Sequence, residues 1–304
     1  MLNLANKPVL VLGLGGRGRA ACELLRRDGA IVVAADSADT PDLHAGAKHL
    51  RSLGIEVALG VAVPPRGDFA LVVVSPAVRM DDDLVQAVMQ RELPILGEME
   101  FGFQHAKCLS IAIAGTNGKG TTAELVERVL ASNHRKTVLA GHQARPVCSV
   151  VEQTRDLDFL ILQINAFQLE LTRFFRPSVA VLMNLAPDHL DRYATADDYV
   201  CAHAGLFRQQ QQHDWAVIQN EALTRLTQLN VPVRAKIITF SASDPNADLH
   251  LDRGLLISRI PNWPGPLLDI DHCQLRGPHN AENLMAALAV GHVLRLPLEA
   301  PLSC

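Results

Sequence analysis

The segment Gly-Thr-Asn-Gly-Lys-Gly-Thr-Thr at Gly115–Thr122 constrains the fold more than any other feature of this chain. It follows the apolar run Leu109–Ala114 and precedes a segment with helical apolar spacing that extends through Leu130. A strand, a glycine-rich loop and a helix in this order are the setting that a Walker-type P-loop requires. We therefore predict an α/β P-loop domain, and we call Gly115–Thr122 the glycine-rich loop.

The residue types of the glycine-rich loop predict phosphate binding. Glycines let backbone N–H groups turn toward phosphate oxygens, the following helix adds the partial positive charge of its N-terminus, and Lys119 adds a full charge. A hydroxyl of Thr121 or Thr122 can hold Mg²⁺. We predict ATP and Mg²⁺ as ligands, whereas the alternative is a glycine-rich turn that binds nothing. The predicted ATP-binding residues are Gly115, Thr116, Asn117, Gly118, Lys119, Gly120, Thr121 and Thr122.

A second glycine-containing turn lies near the start of the chain. Pro8–Gly15 reads as a buried parallel strand entering a tight turn, Arg19–Asp28 as a helix, and Ile31–Ala35 as a second strand that ends at Asp36. Glycines at 13, 15, 16 and 18 with an acid after the next strand resemble a dinucleotide-binding fingerprint. Short glycine patterns are weak signals, so a turn that serves only close packing of strand and helix stays open.

The chain length and the spacing of these units predict two domains. Further strands are expected at residues 69–74 and 93–96, and in the second half at 159–164 and 179–184. We predict an α/β protein of two doubly wound domains with largely parallel sheets. The first is a Rossmann-like domain over 1–103, and the second is the P-loop domain over 104–304.

Composition excludes several classes of function. The formal net charge of −4 provides no basic surface of the kind that nucleic acid requires. The six cysteines contain no C-x-x-C pair, which indicates reduced thiols rather than a zinc site or a disulfide framework. No run reaches the roughly 18 apolar residues of a membrane span, and the first residues lack the pattern of a signal peptide. These features predict a cytoplasmic protein; they do not predict its oligomeric state.

Four ordered phrases make the chain resemble the Mur ligase family. They are the glycine-rich loop, Phe-Gln-Leu-Glu at 167–170, Asn-Leu-Ala-Pro-Asp-His-Leu-Asp-Arg at 184–192, and Gly-Pro-His-Asn-Ala-Glu-Asn at 277–283. The resemblance covers essentially the whole chain, including Ser-Pro-Ala-Val at 75–78. It is closest to the branch that adds D-glutamate to UDP-N-acetylmuramoyl-L-alanine. Gly120, however, is similar to the folylpolyglutamate synthetase branch.

The resemblance implies an ATP-dependent ligase of peptidoglycan synthesis. In such an enzyme a substrate carboxylate attacks the γ-phosphate, and an amine then displaces phosphate from the acyl phosphate. Lys119 and His189 become the implied catalytic residues, with Thr121 and His189 on the metal and Asn280 and Asn283 beside the adenine. The residues implied for the UDP part of the substrate are Gly15, Arg17, Asp36, Ser37 and Ala77.

The sequence also departs from the family pattern at the expected metal site. Gln163 replaces a metal-binding glutamate, and His203 replaces a lysine whose carbamate binds a second metal. An amide offers only a neutral carbonyl, and histidine is not a preferred Mg²⁺ ligand. His142 also replaces an asparagine after the P-loop helix, and the family's C-terminal third domain does not follow before Cys304.

Two functions from different classes therefore remain open. The first is a ligase of the D-glutamate-adding type, either divergent or without its third domain. The second is a nucleotide-binding paralogue without catalytic activity, which Gln163 and His203 favour. A nicotinamide-dependent oxidoreductase would account for the first glycine turn but not for the glycine-rich loop. We expect from the 304 residues alone no more than trace ligation.

Overall fold

The computed structural model describes residues 3–188 and 191–297, and the chain divides into two compact units. Each unit combines helices with a largely parallel sheet, which confirms the predicted α/β class. The first unit contains residues up to 107 together with 145–153 and 171–173, and the second contains 108–144, 154–170 and the residues from 174 onward.

The first unit is built on a five-stranded parallel sheet. Its strands lie in the order β3-β2-β1-β4-β5, so the chain adds strands on both sides of β1. The strands are β1 Pro8–Leu12, β2 Ile31–Asp36, β3 Glu56–Leu59, β4 Leu71–Val74 and β5 Ile95–Gly97. The helices are α1 Gly16–Arg27, α2 Pro41–Ser52, α3 Asp83–Gln90 and α4 Glu98–Phe103.

The second unit contains a nine-stranded sheet in the order β14-β13-β12-β11-β10-β9-β6-β8-β7. Its strands are β6 Leu109–Ala114, β7 Thr137–Gly141, β8 Phe159–Gln163, β9 Val179–Leu182, β10 Trp215–Gln219, β11 Lys236–Ser241, β12 Leu249–Asp252, β13 Leu255–Ser258 and β14 Gly265–Asp269. The remaining helices are α5 Lys119–Ser132, α6 Val147–Val150, α7 Ala166–Glu170, α8 Ala196–His203, α9 Asn220–Gln228 and α10 Pro278–Val293, of which α6 belongs to the first unit.

Strand order places both glycine turns at topological switch points. The glycine turn of the first unit follows β1, whose neighbours are β2 and β4, and the glycine-rich loop follows β6, whose neighbours are β8 and β9. In open α/β sheets, ligands bind outside the carboxyl ends of the strands at such points. Both glycine turns therefore occupy positions in the fold where ligands commonly bind.

Most strands are buried because helices and neighbouring strands cover them, so that little of each sheet is exposed to solvent. All residues of β4, β8 and β9 are buried, and they are mainly Val, Ile, Leu and Ala, as expected for parallel strands covered on both faces. Helix α10 contacts α5 and is buried at every position from 281 to 291. Residues of β8, β9, α5 and α10 form much of the apolar core of the second unit, whereas β4 contributes to the core of the first.

The far edge of the second sheet is antiparallel, which the sequence analysis did not predict. Strands β12 and β13 are joined by the two residues Arg253 and Gly254, and both have positive φ angles, 47° and 85°. A two-residue loop of this conformation is the usual connection of a β-hairpin, since its twist matches that of the strands. None of the helices among the described residues is both long and apolar enough to cross a membrane.

Candidate functional site

The glycine-rich loop leaves β6 and closes directly onto the first turn of α5. Gly115 and Gly118 have φ angles of 130° and 83°, a region that favours glycine. A Cβ atom at position 118 would also lie 2.4 Å from Oδ1 of Asn283, closer than side chains tolerate. These two glycines are therefore required by the path of the loop itself.

Asn184 and Ala186, which follow β9, hold the middle of the loop in place. The Asn117 N–H donates to Oδ1 of Asn184 at 2.9 Å, and Nδ2 of Asn184 donates back to the Asn117 carbonyl at 3.1 Å. The Thr116 hydroxyl donates to the Ala186 carbonyl and accepts from the Ala186 N–H, both at 3.1 Å. The phrase that begins at Asn184 thus shapes the loop, a role that the sequence analysis did not assign to it.

Lys119 lies folded against the loop. Its Nζ donates to the carbonyl oxygens of Gly115 at 2.7 Å and Thr116 at 2.8 Å. Burial lowers the pKa of this ammonium group, and the nearby negative charge of Asp188 partly offsets the shift. A partly desolvated cation whose hydrogen bonds go to neutral carbonyls is well prepared to interact with an anion.

The two threonines at the start of α5 differ in accessibility. Thr122 is fully buried, and its hydroxyl donates to Oδ1 of Asn283 at 3.1 Å. Thr121 lines an open cavity and is the better of the two for a ligand or ion. Nδ2 of Asn283 donates to Oδ1 of Asn280 at 3.2 Å, and Nδ2 of Asn280 donates to the Arg276 carbonyl at 2.9 Å. The asparagine pair therefore supports the loop and the start of α10.

A cavity of about 700 Å³ opens beside the loop, within the second unit. This volume falls in the range of about 300–1,000 Å³ that is typical of small-molecule sites. Its lining comes from the glycine-rich loop, the segment after β9, the end of β10, the segment after β11 and the start of α10. The lining residues are Asn117, Gly118, Thr121, Asn184, Ala186, Gln219, Ala242, Ser243, Pro278, His279, Glu282 and Asn283.

The residues at the expected metal site do not fit an ion held by protein carboxylates. Gln163 is almost fully buried, and its Nε2 donates to Oε1 of Gln143 at 3.5 Å. His203 is fully buried, with Nδ1 3.0 Å from the Tyr199 carbonyl, so that its Nδ1 carries the proton. No cluster of three or more His, Cys, Asp or Glu side chains suited to a metal occurs among the described residues, and His189 lies outside them.

Packing explains two glycines of the turn in the first unit. Gly13 has a φ angle of 84°, and a Cβ there would lie 2.4 Å from Cγ2 of Val78. A Cβ at Gly18 would lie only 1.7 Å from the Gly13 carbonyl oxygen. A Cβ at Gly15 or Gly16, by contrast, would meet no atom within 4 Å. Both interpretations of the glycine pattern, nucleotide binding and close packing, thus keep support. Gly13 and Gly18 serve packing, whereas Gly15 and Gly16 leave open space.

Asp36 binds backbone rather than standing free for a ribose. Its Oδ2 accepts from the Leu14 N–H at 2.6 Å, and its Oδ1 accepts from the Ala38 N–H at 2.9 Å. Ser37 is exposed, with its hydroxyl 3.5 Å from Oδ2 of Asp82, and Ala77 is exposed as well. These residues surround the ends of β1, β2 and β4 within the first unit.

Arg17 is half-buried near the start of α1. Burial raises the pKa of the Glu98 carboxyl, and hydrogen bonds from Cys148 and the charge of Arg17 work against that rise. Glu98 accepts from the Cys148 N–H at 2.9 Å, a contact that ties α4 to α6. Arg17 therefore interacts electrostatically with Glu98 in the interior of the first unit. Its role toward the substrate stays a prediction.

The Phe-Gln-Leu-Glu phrase and Arg192 interact with one another. The Arg192 guanidinium lies 3.9 Å from the centre of the Phe167 ring and donates to Oε2 of Glu170 at 2.8 Å. Phe167 also packs near Tyr193 and Tyr199 in a small apolar cluster. These contacts join the phrase at 167–170 to residues that follow the phrase beginning at Asn184 and to α8.

Eight cavity residues had been given no role from the sequence: Asn184, Ala186, Gln219, Ala242, Ser243, Pro278, His279 and Glu282. Gln219 ends β10, and Ala242 and Ser243 follow β11, so they belong to no local motif. The carboxyl ends of neighbouring parallel strands meet at one edge of the sheet, which is the signal that could have indicated them. Glu282 lies inside the phrase at 277–283 but was not assigned a role.

Loop, cavity and sheet together define an α/β protein with a glycine-rich loop and an adjoining cavity at the switch point of its larger sheet. Residues 113–291 match the family described as the Mur ligase middle domain. The chain belongs to the Mur ligase family.

Curated relatives agree with this assignment over nearly the whole chain. The UDP-N-acetylmuramoylalanine–D-glutamate ligase of Acidobacterium capsulatum is 34% identical over 98% of the chain and 66% of the relative. The enzyme of the same name from Koribacter versatilis is 32% identical over 95% of the chain and 64% of the relative. The chain thus spans about two thirds of the length of these relatives.

Solved structures show the same fold at lower identity. The UDP-N-acetylmuramate:L-alanyl-gamma-D-glutamyl-meso-diaminopimelate ligase of Neisseria meningitides superposes with a TM-score of 0.61 at 17% identity, covering 99% of this chain and 98% of that one. A MurF ligase of Thermotoga maritima in complex with ADP gives a TM-score of 0.53 at 16% identity, covering 99% of this chain and 63% of that one.

Proposed function

We propose that the chain binds ATP in the cavity beside the glycine-rich loop and acts in a ligase that adds D-glutamate to UDP-N-acetylmuramoyl-L-alanine. The observation that carries the proposal is the juxtaposition of the loop, Lys119 and a cavity of about 700 Å³ on one unit. Relatives at 30–34% identity named for D-glutamate addition support the particular substrate.

The chemistry proposed for the ligase divides into two transfers. The carboxylate of the muramoyl peptide forms a bond to the γ-phosphorus of ATP, and the bond to the β,γ-bridging oxygen breaks to release ADP. The amine of D-glutamate then forms the amide bond, loses a proton and expels phosphate. Such reactions depend mainly on positioning and on charge neutralisation. Lys119 supplies the neutralising side chain, and the amides of the glycine-rich loop supply hydrogen bonds to phosphate.

Mg²⁺ is proposed to enter with the nucleotide. Thr121 offers one hydroxyl beside the cavity. Of the other protein groups expected near the ion, Gln163 is neutral and His203 is buried. Mg²⁺ keeps several waters and often depends on substrate phosphates for its ligands. A further contribution from His189, which lies outside the described residues, stays a prediction.

The first unit is proposed to bind the UDP part of the substrate through the turn after β1. Gly15 is exposed and has open space around it, and Ser37 and Ala77 are exposed at the same end of the sheet. Asp36 contributes by fixing the Leu14 and Ala38 amides, which shapes the turn. No membrane or nucleic-acid partner is included in the proposal, and the cytoplasm is its proposed location.

Saturation-transfer NMR with UDP-N-acetylmuramoyl-L-alanine tests the substrate assignment. We expect transfer to the uridine protons from the wild-type chain and a reduction of at least about fivefold for Gly15→Val, whose side chain would fill the open space over the turn. Ala106→Val, distant from the turn in sequence, serves as the control. Absence of any transfer from the wild-type chain would remove this substrate from the proposal.

Restoring a carboxylate at position 163 tests the account of the metal site. Gln163→Glu is expected to increase the effect of Mg²⁺ on ATP affinity by about tenfold, because a negative oxygen ligand replaces a neutral one. Gln143→Glu, which changes the neighbouring amide instead, is the matched control. His203→Lys is less suitable because it would bury an amine. An unchanged Mg²⁺ dependence in Gln163→Glu would show that position 163 does not face the ion.

A nucleotide-binding paralogue without ligase activity is the second candidate. The neutral Gln163 and the fully buried His203 favour it, since both replace negatively charged metal ligands of the family pattern. The candidates differ in phosphate release with UDP-N-acetylmuramoyl-L-alanine and D-glutamate. For the paralogue we expect no more than about 1% of the rate of a relative such as the Acidobacterium capsulatum enzyme, given that small losses of positioning already cost about 100-fold. Robust turnover would exclude the paralogue.

A further inference from the structure

Two side chains that line the cavity, Gln219 and Glu282, form a polar pair. Nε2 of Gln219 donates to both carboxylate oxygens of Glu282, at 3.0 Å each. The Ala242 N–H also donates to Oε1 of Glu282, at 3.3 Å. Glu282 is buried, with 7% of its surface exposed, so this carboxylate is held by neutral donors in a fixed place.

The carboxylate determines which way the Gln219 amide faces. Both carboxylate oxygens of Glu282 accept from Nε2 of Gln219, so the nitrogen and not the oxygen of the amide faces Glu282. Oε1 of Gln219 then faces away from Glu282. Within the described part of the chain, no hydrogen bond to Oε1 occurs, and this oxygen is not among the buried polar atoms that lack a partner. Because Gln219 lines the cavity, its oxygen is an acceptor accessible from the cavity.

We infer that Gln219, oriented by Glu282, selects a nucleobase with an exocyclic amine over one with a carbonyl at the same position. The inference rests on the proposed function, in which ATP binds in this cavity with its phosphates on the glycine-rich loop, and it places the base beside Gln219. The exocyclic amine of adenine can donate to Oε1 of Gln219. The 6-carbonyl of hypoxanthine or guanine would place two acceptors against each other.

A fixed acceptor that loses its hydrogen bond discriminates between two nucleobases more strongly than a small difference in their shape does. A free amide could rotate by 180° and donate to a carbonyl, which would remove the discrimination. Glu282 prevents that rotation because its own hydrogen bonds from Gln219 would be lost. Glu282 is thus a positioning residue, and Gln219 is the residue that contacts the base.

Comparison of ATP with inosine triphosphate isolates the base, because the two nucleotides share their ribose and phosphates. By calorimetry we expect the wild-type chain to bind ATP roughly 10- to 100-fold more tightly than inosine triphosphate. In Glu282→Gln the new amide can also donate, so Gln219 can rotate. The preference should then fall below about threefold, mainly because inosine triphosphate binds more tightly.

Two further variants separate this role from a structural one. Glu221→Gln removes a neighbouring carboxylate that accepts from the Ser241 and Ser243 hydroxyls and should keep the wild-type preference. Gln219→Leu removes the acceptor, so ATP affinity should fall to the level of inosine triphosphate. Gln219→Leu also tests the inference if Glu282→Gln does not fold.

The outcomes distinguish this inference from the proposed function. Wild-type chain that binds both nucleotides equally, or Glu282→Gln that folds and keeps the full preference, overturns the inference and leaves ATP binding intact. A wild-type chain that binds neither nucleotide overturns both. Tighter binding of inosine triphosphate to Glu282→Gln supports the inference, since a general loss of structure would weaken both nucleotides together.

Discussion

Gly18→Ala is expected to destabilise the first unit by about 3 kcal/mol or more. The added Cβ would lie 1.7 Å from the Gly13 carbonyl oxygen and 2.8 Å from its carbon, so backbone rather than a flexible side chain must move. Gly13 itself has little freedom to shift, since it has a φ angle of 84° and its N–H donates to the Ala35 carbonyl at 2.9 Å. The turn and α1 must therefore separate, which exposes buried residues of both.

Gly16→Ala is the matched control for that substitution. It adds the same methyl group at the first residue of α1, where no atom lies within 4 Å of the new Cβ. We expect a change within about 0.5 kcal/mol, because alanine is favourable in helices and surface substitutions are usually small. Urea unfolding followed by circular dichroism compares the two variants. Equal midpoints for Gly18→Ala and wild type would contradict the described packing of the turn.

Lys119→Ala is expected to weaken ATP binding by roughly 10- to 100-fold. Hydrogen bonds that involve a charged group contribute about 1.5–3 kcal/mol, and this ammonium lies among the neutral carbonyls of the loop. Lys136→Ala is the control, since this lysine precedes β7 at the amino end of the strands and lies away from the loop. Calorimetry measures both affinities. Equal ATP affinity in Lys119→Ala and wild type would remove the assignment of the loop.

The same lysine predicts a pH dependence. Phosphate binding requires the protonated ammonium, and burial lowers the pKa of Lys119 below the ordinary value of a lysine. ATP affinity should therefore decline with rising pH before an ordinary lysine would lose its proton. Bound phosphate favours the protonated form and should delay this decline. The decline should be absent in Lys119→Ala.

Features with a local cause in the sequence were predicted well. Strand β6 spans Leu109–Ala114 as predicted, because an apolar run that ends in glycine determines both its burial and its end. The helix predicted over 19–28 begins three residues earlier, at Gly16. The first residues of this helix carry no apolar side chain, so the apolar spacing in the sequence could not indicate them. The α/β class and the largely parallel sheets followed from the alternation of strands and helices.

Features that depend on distant residues could not be predicted in the same way. Thr121 and Thr122 are adjacent and chemically identical, yet only the packing of α10 against α5 buries Thr122 against Asn283. The Gln219 and Glu282 pair joins the end of β10 to α10 and has no local signal. The antiparallel edge was missed because β12 and β13 are short and their turn, Arg253 and Gly254, was not recognised as a hairpin loop.

A crystal structure of the chain with a non-hydrolysable ATP analogue tests the central claim most directly, because it locates the nucleotide. The account predicts phosphate oxygens within hydrogen-bond distance of the backbone amides of the glycine-rich loop, with Lys119 moved from the Gly115 carbonyl toward phosphate. It also predicts the adenine amine beside Oε1 of Gln219. A nucleotide bound at the turn after β1, with the cavity beside the glycine-rich loop left empty, would contradict the account.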